Sequence, residues 1–197
     1  MKRGLIIFVR KPELGKVKTR LAAAVGDERA LFIYKNLLQH TFLISKATDA
    51  DKFVFYANEI EQNDIWDAHR FFKEMQSNDD LGGKMKEAFE SLFKKEYTMV
   101  VIIGSDCFEL TTQIIEQAFL SLDNNELVIG PAKDGGYYLL GMKRLHENLF
   151  LNKKWSTENV FADTIDMIKQ EGLTYKVLPI LTDVDEENDL PREWKKI

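Results

Sequence analysis

Thr98-Met-Val-Val-Ile-Ile-Gly-Ser-Asp-Cys-Phe-Glu-Leu110 is the stretch whose reading decides the fold. Val100 to Ile103 is an unbroken β-branched run. A run without polar alternation predicts a strand buried on both faces, as in a mainly parallel sheet. Gly104-Ser105 ends the run and Asp106 follows it. Ligands of open α/β sheets bind just beyond the carboxyl ends of strands, so Asp106 is the first candidate site residue. Its competing role is to cap the helix that follows, a task that Thr111 or Thr112 can also perform.

Outward from this strand, Leu5–Val9 is a second all-apolar strand. Arg10–Arg20 after it carries five basic residues, one proline and one glycine in eleven positions, and Pro12 and Gly15 mark it as a loop. A short helix over Thr19–Val25 stops at Gly26. Asp27 is placed to cap a helix over about 28–47, with Leu31, Tyr34, Leu37, Leu38 and Phe42 on one face. Lys52–Ala57 predicts a strand, Asn63–Phe72 a helix and Lys73–Gln76 a short strand. Asp79 or Asp80 caps a helix over Leu81–Lys95. A helix over Thr111–Leu122 follows the central strand. Glu126–Pro131 and Gly136–Met142 predict two strands joined by Ala132-Lys-Asp-Gly-Gly136, a hairpin-like connection. A helix over Glu158–Glu171 with Thr157 as cap and a strand over Tyr175–Leu181 complete the chain. Strands alternating with helices predict one α/β domain over 1–197, with a mostly parallel sheet, one antiparallel strand and helices on both faces.

The bulk properties narrow the function. A chain of 197 residues, 45% hydrophobic, can bury one substantial core. A net charge of −5 argues against binding nucleic acid by charge alone. One cysteine, Cys107, excludes an internal disulfide framework and a cysteine-only metal site. No apolar run reaches the length of a membrane span or a signal h-region. The expectation is a soluble cytoplasmic protein with no nucleic-acid or membrane partner and an oligomeric state that the sequence leaves open.

Three groups of residues carry candidate chemistry. Lys11, Lys16, Lys18 and Arg20, in a glycine loop at a strand's carboxyl end, suit a di- or triphosphate. The loop is neither a Walker A nor a G-x-G-x-x-G motif, because Val17 follows Gly15-Lys16 and no glycine precedes at the required spacing. Asp106, Asp183 and Asp185 follow two different strands. If they converge, they suit Mg²⁺ or Mn²⁺, which take oxygen ligands and share them with phosphates; their alternative is helix capping. In Lys133-Asp-Gly-Gly-Tyr-Tyr138, Asp134 either points into the same cleft or makes an ordinary Asp-Gly turn. Trp155-Ser-Thr157 either closes over that cleft or packs as a buried tryptophan with a capping threonine. His40, His69 and His146 lack metal-ligand spacing. Cys107 is a weak nucleophile candidate beside a carboxylate.

These stretches, with Asp80-Leu-Gly-Gly-Lys-Met85, Ile129-Gly-Pro131 and Asp183-Val-Asp-Glu-Glu-Asn-Asp-Leu190, together resemble the DUF2064 family along nearly the whole chain. Its members are small bacterial proteins of the GT-A nucleotide-diphospho-sugar transferase type. Some are labelled glycosyltransferases associated with arsenosugar biosynthesis, and the group is similar to the guanylyltransferases of molybdenum cofactor and coenzyme F420 synthesis. The resemblance implies a single-domain GT-A fold and phosphate binding around Lys11, Lys18 and Arg20. It also implies a Mg or Mn cation at Asp106 with Asp185 or Asp183, and Asp134, Gly135 and Gly136 facing sugar or acceptor. Phe108 departs from the pattern, since members usually carry proline there, which would leave the Asp106 loop less restrained. The acids also do not form an Asp-x-Asp at one strand end.

The expected function is therefore metal-assisted transfer from a nucleotide-diphospho-sugar to a small acceptor, with Asp134 as acceptor-side base and Trp155 near the donor or acceptor. The alternative is a guanylyltransferase-like nucleotidyltransferase that joins an NTP to a phosphorylated small molecule. A further alternative is a non-catalytic nucleotide-binding protein.

Overall fold

The computed structural model describes residues 1–151 and 153–195. Seven strands form one sheet: β1 (Arg3–Val9), β2 (Asp51–Tyr56), β3 (Phe71–Met75), β4 (Met99–Ile103), β5 (Leu127–Pro131), β6 (Tyr137–Met142) and β7 (Tyr175–Val177), in the spatial order β3-β2-β1-β4-β6-β5-β7. All neighbours run parallel except β6, which is antiparallel to both β4 and β5. The expected lone antiparallel strand is therefore β6. Five helices complete the fold: α1 (Thr19–Val25), α2 (Asp27–Ala47), α3 (Leu81–Lys94), α4 (Thr112–Ser121) and α5 (Val160–Gln170).

The all-apolar runs have the physical cause read from them. Leu5, Ile7, Val101 and Ile103 pack with Tyr34 and Leu38 of α2 and Ile115 and Phe119 of α4. The alternate residues Ile6, Val100 and Ile102 pack with Met85, Phe89 and Leu92 of α3 and Ile168 of α5. Successive side chains of a strand point to opposite faces, so a strand covered by helices on both sides has no polar position to spare. Between β1 and β4 the chain order turns in opposite directions along the sheet. The loops after these two strands thus flank a switch point, where ligands of doubly wound sheets bind.

Several local expectations are corrected. Residues 63–70 are bends and turns, not a helix, and Phe71 opens β3. Asp64 explains this: its carboxylate accepts from the Trp66 N–H (2.9 Å), the Tyr56 hydroxyl (2.5 Å) and the Lys73 ammonium (2.8 Å). A carboxylate that bonds the backbone two residues on makes a turn in place of a helical cap. Trp66 is then buried edge-on against Phe42 and Phe71. Gly26 occupies the cap position of α2, and Asp27 is its first residue. Helix α5 starts at Val160 with Asn159 at its cap, while the Thr157 hydroxyl donates to the Lys154 carbonyl. Strand β7 ends at Val177, although the Leu178 N–H still donates to the Ile129 carbonyl at 2.9 Å. Pairing resumes only at the Ala132–Leu181 bridge. No helix among the described residues is long and apolar enough to cross a membrane.

Candidate functional site

The carboxyl ends of β1 and β4 open into a cleft of about 810 Å³, lined among others by Arg10, Lys18, Arg20, Asp106, Asp134 and Asp185. The competing capping roles of the acids are taken by other residues. Thr111 caps α4, its side chain accepting from the Ile114 N–H at 3.3 Å. Glu186 and Asp189 form a reciprocal capping box on the turn Glu187–Asp189. Asp106 and Asp185 are thereby free to converge. Thr111→Ala is expected to lower the unfolding free energy by about 1 kcal/mol, read from the urea midpoint, and to leave the acid pair where it is.

What joins the two acids is Lys18. Its ammonium lies 3.0 Å from Asp106 Oδ1 and 2.8 Å from Asp185 Oδ1, and its side chain is 5% exposed against 42% and 41% for the two acids. Burial by itself would push this ammonium's pKa down. The charges of Asp106 and Asp185 outweigh burial and hold the pKa above its ordinary value. The Val184 N–H donates to the Asp106 carbonyl at 2.9 Å, clipping the two acid-bearing segments together. Asp183 also lines the cleft. Burial first, then the neighbouring charges of Asp106 and Asp134, push its carboxyl up to about 7. Among the three acids, the Lys18 ammonium contacts Asp106 and Asp185, so these two form the pair that converges on it.

The basic loop divides in two. Lys11 pairs with Glu59 and Glu61, Lys16 pairs with Glu13, and neither lines the cleft. Arg20 does line it, as do Arg10 and Lys84, and the ion pairs among the described residues include none of these three. Arg10 and Lys84 were not singled out from sequence. Arg10 had a signal, being the first residue after β1. Lys84 sits in the Leu81-Gly-Gly-Lys84 stretch that opens α3. Arg10 is held by Tyr34, whose hydroxyl accepts from its N–H (3.0 Å) and donates to its carbonyl (3.1 Å).

The far wall is built from two loops. Asp134 accepts from the Gly136 N–H at 2.9 Å, so the Asp-Gly turn and the cleft-facing carboxylate are the same feature. Gly135 has φ +92° and its carbonyl accepts from the Phe161 N–H at 2.8 Å. Trp155 stands over the first turn of α3, where a Cβ on Gly82 would lie 2.4 Å from its indole nitrogen. Only glycine permits that approach. Trp155 also meets Tyr137 edge-on at 6.5 Å and so lines the cleft without being buried as a core residue. Phe108 does not leave its loop slack: it is wedged between the rings of His40 (4.8 Å) and Trp194 (4.5 Å). Cys107 is buried, and burial followed by the Asp183 charge pushes its thiol far up, which removes it as a nucleophile.

Residues 41–157 match the family model described as "Uncharacterized protein conserved in bacteria (DUF2064)". The chain belongs to that family. A solved structure from Desulfovibrio desulfuricans G20, a candidate nucleotide-diphospho-sugar transferase, is 30% identical, with a TM-score of 0.87 over 96% of this chain and 85% of that one. Two more distant structures show the shared fold alone. The inositol-1-phosphate CTP transferase of T. maritima is 13% identical, with a TM-score of 0.61 over 98% of this chain and 94% of that one. Rv0371c of Mycobacterium tuberculosis H37Rv, in complex with manganese, is 10% identical, with a TM-score of 0.60 over the full length of both chains. No curated protein matches the chain. This DUF2064 member thus has the fold of the nucleotide-diphospho-sugar transferases and groups with transferases.

Proposed function

We propose that this DUF2064 protein transfers a glycosyl group from a nucleotide-diphospho-sugar to a small acceptor with the help of a Mg or Mn ion. The observation that carries this reading is the convergence of Asp106 and Asp185 at the switch point, beside Arg10 and Arg20, which have no ion-pair partner among the described residues. Two carboxylates are a hard-oxygen donor set of the kind Mg²⁺ uses, with phosphate oxygens and water completing the shell. Among the described residues no group of three His, Cys, Asp or Glu side chains is arranged to hold a metal ion, so this reading has two carboxylates share the ion with substrate phosphates and water. The bound ion would supply electrostatic stabilisation of the departing diphosphate.

The chain's own residues do the rest. Arg10 and Arg20 hold phosphate oxygens, each guanidinium being able to grip two at once. Trp155 and Tyr137 give the sugar or acceptor an apolar wall. Gly135 and Gly136 bring Asp134 to that wall, where it accepts the acceptor's proton as the attacking oxygen approaches. The Lys18 ammonium stays beside the charge that develops on the leaving group.

The second reading is nucleotidyl transfer, in which an acceptor phosphate displaces pyrophosphate from an NTP. It is favoured by Lys84, which lines the cleft with Arg10 and Arg20, likewise has no ion-pair partner among the described residues, and suits a triphosphate. The two separate on product mass. Incubation with Mn²⁺ and a panel of UDP-, GDP- and CDP-sugars is expected to release the nucleoside diphosphate slowly even with water as acceptor. Pyrophosphate release from a free NTP, with every sugar nucleotide left intact, would replace the first reading by the second.

A further inference from the structure

Lys18 occupies the place where a cation is expected, and it does so from an unfavourable backbone. Its φ and ψ of 49° and 45° put a non-glycine residue in the left-handed region immediately before α1. Such a conformation costs free energy and persists only where the surroundings impose it. Here the ammonium contacts both Asp106 Oδ1 and Asp185 Oδ1. A divalent ion seated on the same oxygens would stand beside that ammonium, and at such a distance like charges repel strongly in a sheltered cleft. A buried lysine also cannot give up both acceptors without finding another. Nucleotide phosphates bound by Arg10 and Arg20 would supply one in the same cleft, and lysine, a point charge on a flexible stem, can follow them.

We propose that Lys18 is a resident counter-cation of the Asp106–Asp185 pair, which excludes a free divalent ion and admits it only together with nucleotide phosphates that take over the ammonium. Lys18 is in this sense a positioning residue that makes metal and nucleotide bind synergistically. The proposal rests on the metal-assisted reading above and adds an order to it: the substrate is the metal–nucleotide complex, and the bare ion is not a ligand of the free protein. By linkage, each partner raises the affinity for the other by the same factor.

The test is Mn²⁺ binding to the whole chain, followed by the electron paramagnetic resonance signal of free Mn²⁺, with no turnover required. Wild type is expected to bind Mn²⁺ weakly alone and at least about tenfold more tightly with UDP, GDP or CDP present. Lys18→Met is expected to bind Mn²⁺ at least about tenfold more tightly than wild type without nucleotide, and to lose most of the nucleotide enhancement. Lys18→Gly removes the same charge while suiting the left-handed backbone, so it carries the test if the methionine variant folds poorly. Asp185→Asn in the Lys18→Gly background should abolish the gain. If neither Lys18 variant binds the bare ion more tightly than wild type, Lys18 is not the counter-cation, and the metal-assisted reading stands. If no protein binds Mn²⁺ with any nucleoside di- or triphosphate, both the counter-cation and the metal-assisted reading are overturned.

Discussion

Asp106→Asn is expected to lower metal-dependent turnover of the donor by about 10²–10³-fold while leaving the fold intact. The substitution keeps the shape of the side chain and removes one of the two charges that converge on Lys18. It does not uncap a helix, because Thr111 caps α4. The Asp106 backbone carbonyl that accepts from Val184 is untouched. An unchanged urea midpoint with lost turnover and lost Mn²⁺-stimulated nucleotide binding therefore assigns the residue to chemistry. The outcome also separates enzyme from binding module. A protein that only senses nucleotide keeps its nucleotide affinity in this variant and shows no turnover in either form. Metal-dependent turnover within a few-fold of wild type would move the cation away from Asp106.

Gly135→Ala is expected to destabilise the protein by roughly 3 kcal/mol or more, through two additive causes. The backbone at φ +92° is one that side chains rarely adopt, and the added Cβ would lie 1.9 Å from the Glu158 carbonyl oxygen. That oxygen is backbone, so the methyl group can be accommodated only if the loop ahead of α5 moves. For a chain of this size the loss corresponds to a melting temperature lower by roughly 6–12 °C. The same loop carries Trp155, so surviving protein should also bind donor more weakly, visible as a raised KM. Gly136→Ala is the control: its Cβ would meet the Asp134 carboxyl, Oδ1 nearest at 3.2 Å. A Gly135→Ala protein that melts with wild type would show that the 157–161 segment is not held on the Asp134 turn.

Both predictions concern positions that stood out in the sequence, but for different reasons. Asp106 stood out because the run before it has no polar residue, and burial on two faces leaves few other folds open. A cap of α3 at Asp79 or Asp80 was legible for a similarly local reason, and the residue is Asp80, whose side chain accepts from the Gly83 N–H three residues on. The Asn63–Phe72 segment misled because its apolar spacing fits a helix. Bonds from Asp64 to Tyr56 and Lys73, eight and nine residues away, settle it as a loop. The basic loop misled in part for the same reason. Its five cations look alike in sequence, yet Glu59, Glu61 and Glu13 neutralise two of them. Two more, Arg10 and Arg20, remain in the cleft without an ion-pair partner among the described residues.

The sequence by itself determined the α/β class, the presence of one antiparallel strand in the pair around Asp134 and the strand ends at which the acids emerge. These follow from hydrophobic period, turn residues and breakers, which act within a few positions of the chain. Only the tertiary structure decided that Asp106 and Asp185, rather than Asp183, share the buried Lys18 ammonium. It alone decided that Gly82 exists to let Trp155 reach α3. The reason is physical: which charges meet and which rings touch depends on the order in which strands assemble, and strand order is set by packing across the whole sheet.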